Sequence, residues 1–163
     1  DYPPYRIHAY QRPGTAFYLL RELVGKQAFH KALKAYIQRW AKKHPTPYDF
    51  FYTFEDVLDR DLSWFWEPWF FDFGYPDLAL GDVQHSGSGN RVVIEKKGHM
   101  PVPVYLEVTY ADGSKEVMER SMEVWKDRND LTIELSGSKK VKELKLGKGN
   151  IPDSKPENNF LEF

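Results

Sequence analysis

The chain has 163 residues, a formal net charge of −1 and no cysteine. That length accommodates one domain or two small ones, burying roughly two thirds of the unfolded surface. The missing cysteine excludes disulfides, thiolate nucleophiles and Cys-ligated metal centres, and the near-neutral charge argues against a nucleic-acid footprint.

The chain begins with Asp1 in a Tyr/Pro-rich stretch without start-like character, which points to a processed product or an excerpt of a longer polypeptide. The longest apolar run of the first thirty residues, Ala16 to Leu20, is five residues, too short for a signal-peptide core or a membrane span. Pro13, Phe17, Leu20, Leu23 and Val24 outline a first helix that Gly25 caps. Ala28, Phe29, Ala32, Leu33, Tyr36, Ile37 and Trp40 then form a one-sided stripe at helical period, and the two helices are expected to pair as an antiparallel hairpin. Thr46-Pro47-Tyr48-Asp49 opens a third helix, with Thr as N-cap and Pro at the first helical position, running to about Leu58. Asp61 can cap a fourth, short helix through Leu62 to Phe71, in which Pro68 bends or restarts the turn.

Near residue 76 the composition changes: 21 aromatic residues lie in 1–75 and 5 in 76–163, so two different architectures are joined there. Beyond the junction the period becomes two, with strands expected at Leu78–Gln84, around Val92–Lys96, Val102–Tyr110, Ser114–Arg120, Leu131–Leu135 and Val141–Leu146. Ala111-Asp112-Gly113-Ser114 has hairpin-turn chemistry. The reading is an α+β chain, with about four helices in 1–75, a small antiparallel β-sandwich in 76–147, and an irregular tail in 148–163.

The five histidines contain no H-x-x-x-H pair, and no G-x-S-x-G or phosphate-cradling glycine loop occurs. No metal ligand set is assigned to this chain, and self-contained hydrolase chemistry finds no support. Glu55, Asp56, Asp59 and Asp61 read as a charged helix end. What remains is the Tyr5 to Gly14 segment. A tyrosine hydroxyl stays protonated at neutral pH and can donate to a developing oxyanion, provided something else polarises the substrate; the alternative for Tyr10 is a ring packed at a helix entrance.

Ala9-Tyr10-Gln11-Arg12-Pro13-Gly14, Leu19-Leu20-Arg21-Glu22-Leu23-Val24-Gly25, Phe29 and Tyr36 together resemble the stretch downstream of the zinc site in the M1 family of zinc aminopeptidases. His44-Pro45-Thr46-Pro47 and Trp64-Phe65-Trp66-Glu67-Pro68-Trp69-Phe70 look like the closing helices of that catalytic domain, and the β-rich remainder is similar to the sandwich that follows it. The resemblance implies that Tyr10 is a catalytic residue that hydrogen-bonds the tetrahedral intermediate, and that Tyr5 matches a substrate-binding aromatic of some members. Gln11, Arg12 and Pro13 depart from the commoner Glu, Lys and Gly. It also implies a zinc cofactor, a general base and an amine-reading loop in an upstream half of the parent, none of them in this chain. Alone, the chain is then expected to be inactive and to self-associate through the face that the upstream half would cover; the parent would take peptide substrates. Similar members are often exported by bacteria, which favours the cell envelope. The competing expectation is a non-enzymatic interaction module presenting Trp64, Trp66 and Trp69 to a partner or a sugar, a reading that exposed rings would favour and buried ones would not.

Overall fold

Local sequence signals set each helix boundary in the computed structural model, which describes residues 6–86, 89–135, 137 and 139–163. Helix α1 spans Arg12–Val24 and helix α2 Lys26–Trp40, joined through Gly25 alone, whose φ of +85° is open to glycine and strained for other residues. Helix α3, Pro47–Leu58, starts where the Thr46 N–H and hydroxyl both donate to Asp49 Oδ2, at 2.7 and 2.8 Å, and stops at left-handed Asp59. Helix α4, Ser63–Trp66, opens under Asp61, whose Oδ1 accepts the Ser63 N–H at 2.8 Å. At Pro68 the helical path widens into a π turn, Glu67–Phe71.

The aromatic surplus of the first half is spent on one core. Phe50 stacks on Phe54 at 4.4 Å, Trp66 lies 4.7 Å from Phe51 and 5.3 Å from Phe65, and Phe17 of α1 reaches both Phe50 and Phe70. Phe54, Phe65, Leu20, Leu62 and Ala32 are fully buried. The α2 stripe is only half covered: of its seven apolar residues Ala32 alone is buried, and Ile37 is 57 % exposed. A short apolar face needs a neighbour along its whole length, and α2 contacts α1 and α3 without being enclosed by them.

The chain divides into two compact units, Asp1–Asp72 and Phe73–Phe163. The second holds two antiparallel sheets. Strands β1 (Leu78–Ser86), β2 (Gly89–Lys96) and β5 (Asp130–Leu135) form one in the order β1-β2-β5. Strands β3 (Val104–Tyr110), β4 (Lys115–Arg120), β6 (Val141–Leu146) and β7 (Phe160–Glu162) form the other in the order β4-β3-β6-β7. Alternation supplies each sheet with one buried face, Val92, Ile94 and Ile133 in the first and Val104, Leu106, Val108, Leu144 and Leu146 in the second. The β3–β4 turn is the expected one, with Gly113 at φ +82° and Asp112 Oδ1 accepting the Ser114 N–H and hydroxyl. The segment 148–163 differs from an irregular tail. It forms a 3₁₀ turn at Pro156–Asn158, and then β7 pairs with β6 and extends the four-stranded sheet, a strand of three residues being too short to show a period in sequence.

Candidate functional site

The segment carrying Tyr10 is itself a π turn, Ile7–Gln11, in which the Arg12 N–H reaches back to Ile7 O. Pro13 accounts for it: proline offers no N–H to the helical ladder, so the preceding turn gains a residue. In the second π turn the proline, Pro68, stands at the start of the turn instead, and the Asp72 N–H closes on Glu67 O. A single side chain fastens the two turns together. The Arg12 guanidinium donates from Nε to Trp69 O at 2.8 Å and from Nη2 to Pro68 O at 2.8 Å and Asp72 O at 2.5 Å. Burial lowers the Arg12 pKa, and the Asp72 carboxylate partly offsets the shift. The guanidinium fork suits this job, since its rigid donors satisfy carbonyls that the π geometry and a proline leave without helical partners.

Tyr10 stands on this pinned turn with its side chain 65 % exposed. Tyr5 lies outside the described residues. Pro13 is accommodated at the first turn of α1, and open space surrounds the Cα of Gly14. The arrangement can hold a phenol at a fixed backbone position and present it to solvent or to another part of a polypeptide.

Other polar clusters are occupied structurally. Asp56 pairs with Arg39 at 2.6 Å, Glu55 Oε1 accepts the Leu62 N–H at 3.0 Å, and Asp61 caps α4. Among the described residues no group of three or more His, Asp or Glu is placed to hold a metal ion, so this donor set does not fit zinc and no chemical step is derived through one here. Trp66 and Trp69 are buried at 3 % and 2 % exposure and Trp64 is half-buried, so these rings are core rather than display. Sequence reasoning missed an exposed cluster instead. Tyr48 stacks on Phe71 at 5.6 Å and on Tyr52 at 6.3 Å, and all three are close to half exposed or more. Their i, i+4 spacing on α3 was the available signal.

No protein-family model matches the chain. Over 139 residues, 78 % of its length, it is 23 % identical to aminopeptidase N of Haemophilus influenzae. Over that stretch the chain is similar to aminopeptidase N. In structure it matches the crystal structure of Legionella pneumophila aminopeptidase A in complex with aspartic acid, with a TM-score of 0.61 and 15 % identity over 85 % of this chain. It spans only 16 % of the length of each of these two proteins.

Proposed function

We propose that the chain is the C-terminal portion of an M1-type zinc aminopeptidase, in which Tyr10 donates a hydrogen bond to the oxyanion of the tetrahedral intermediate and Tyr5 contacts the substrate. The observation that carries this reading is the alignment of most of this chain with about a sixth of aminopeptidase N. The exposed Tyr10 on its pinned turn is compatible with it, since a donor to a transient oxyanion has to be reachable by substrate and held without reorganisation. Metal ligands, general base and amine recognition belong, on this reading, to the remaining five sixths. The chain alone therefore has no peptidase activity.

The half-covered α2 stripe and the Tyr48–Phe71–Tyr52 cluster are where the remainder of the polypeptide would pack. Without it, apolar surface of this kind promotes self-association. The burial of Trp66 and Trp69 removes the observation that would favour a non-enzymatic display module.

The test is Tyr10→Phe in the full-length parent. Loss of one oxyanion donor lowers kcat on the order of 10²-fold with zinc content and Tm unchanged. A variant with wild-type kcat refutes the assignment, and robust hydrolysis by the 163-residue chain supplemented with zinc refutes the division of labour.

A further inference from the structure

Charge is distributed very unevenly along this chain. From Leu23 to Tyr48 there are six Lys and Arg and no Asp or Glu, so that the rest of the sequence carries a formal −7. That run holds helix α2 and the turn after it. Lys26, Lys31, Lys34, Lys42 and Lys43 are all exposed, and none of them enters an ion pair among the described residues. The acids on the neighbouring elements are engaged elsewhere. Glu22 of α1 pairs with Arg21 at 3.0 Å, Asp49 of α3 closes the Thr46 cap, and Asp56 of α3 takes Arg39, the one arginine of the run, at 2.6 Å.

At about 100° per residue, Lys26, Lys34 and Lys31 fall within about 140° of the helix circumference, on the side opposite Ala32, the fully buried residue of α2. The apolar stripe centres on the other side, so its burial against further polypeptide would leave Lys31 and Lys34 facing outward. A solvated helix face commonly mixes signs, because opposite charges three or four residues apart add stability. Lys31 and Lys34, three residues apart, repel one another instead, and nothing within the helical unit compensates them.

The make-up of this face selects among anionic partners. Lysine is depleted from protein–protein interfaces, where its long side chain is costly to fix, and it meets an anion as a point charge rather than through a fork. Single-stranded nucleic acid is held by cations interleaved with exposed rings, and the arc contains no Phe, Tyr or Trp. An anionic bilayer asks for neither device. Its field is diffuse, and each lysine brought to the surface strengthens partitioning about fivefold.

We infer that the lysine face of α2 is a peripheral docking surface for a membrane leaflet rich in anionic phospholipid. Lys26, Lys31 and Lys34 act from the helix and Lys42 and Lys43 from the turn after it, a cluster of the size that selects anionic lipid. The attraction is electrostatic with little insertion, so binding is reversible and salt removes it.

The test is flotation of the 163-residue chain with vesicles, which separates lipid binding from self-association because aggregates sink. Mixed phosphatidylcholine and phosphatidylglycerol vesicles carry the protein upward at low ionic strength, and pure phosphatidylcholine vesicles do not. Raising the salt to about 1 M, where the screening length is about 3 Å, releases it. Lys31→Gln combined with Lys34→Gln lowers partitioning about 25-fold with Tm unchanged, glutamine being as good a helix former as lysine. The same charge change at Lys140 and Lys142, exposed on the two-sheet unit, leaves partitioning at the wild-type level. Absence of flotation at low salt overturns the inference, as does equal flotation with neutral vesicles or in high salt. An equal loss from the Lys140 and Lys142 pair, or tighter binding to duplex RNA or polyglutamate than to the mixed vesicles at the same salt, overturns it too. Peptidase activity enters none of these readouts, so this surface and the enzymatic reading fail separately.

Discussion

Replacing Arg12 by methionine removes the three hydrogen bonds that tie the first π turn to the second and keeps most of the side-chain volume. A fully desolvated charge-assisted bond contributes about 1.5–3 kcal/mol net. Here the bond to Asp72 O is exposed and adds little, and the two bonds to Pro68 and Trp69 carbonyls are part-buried, so the lower end applies to each. The expected loss is about 3 kcal/mol, roughly a hundredfold in the ratio of folded to unfolded helical unit. Arg12→Lys can reach one of the two part-buried carbonyls with its single ammonium and should recover about half of the loss. Urea unfolding followed by tryptophan fluorescence suits the measurement, because Trp64, Trp66 and Trp69 surround the second π turn. A loss below about 1 kcal/mol for Arg12→Met, or a lysine variant as stable as wild type, would refute the cross-link as a stabilising element.

Other outcomes follow from single contacts. Trp125→Phe deletes the buried bond from Nε1 to Val102 O, 2.8 Å long, and should cost about 1–3 kcal/mol in thermal unfolding, with the far-UV spectrum unchanged. Gly98→Ala places a methyl 2.7 Å from Asp77 N and still closer to Tyr75 O, backbone atoms that cannot swing away, and should abolish soluble expression or lower Tm sharply. Gly14→Ala meets nothing within 4 Å inside α1 and should instead raise stability by about 0.5–1 kcal/mol in the same assay. Asp112 is held well below the ordinary aspartate range, first by the Ser114 hydroxyl and next by Lys139. A pKa depressed in the folded state gives stability that is present above the unfolded value and lost as the pH falls below it. Asp112→Asn should therefore flatten the acid limb of stability below about pH 4, and a limb of unchanged slope would count against the pairing.

The helix punctuation was legible because it is local chemistry: Gly25, Thr46 with Asp49, and Asp61 each act within a few residues of themselves. The strands from β1 to β6 were legible from alternation, which one buried face enforces. Strand β7 was not, since three residues paired with a strand fourteen residues earlier leave no periodic trace. The exposure of Ile37 was hidden for a different reason. An apolar stripe states what a helix can bury, and only the neighbouring elements decide how much of it they cover. Around Tyr10, the proline that unsettles the helical ladder was visible at position 13, but the guanidinium that stitches it to residues 68–72 is a contact across more than fifty residues and carries no sequence pattern.

The bonds from Asn158 to Asp77 and from Leu78 to Asp153 close loops of 81 and 75 residues. Emerging from the ribosome, the helical unit has all of its own residues in hand once residue 72 is out, whereas the four-stranded sheet waits until the strand at 160–162 has been made. Topology of that kind makes folding slow and late. A nascent chain halted near residue 150 would carry a finished aromatic core and an open β edge, so translational pausing in that window is where aggregation of this polypeptide should be sought.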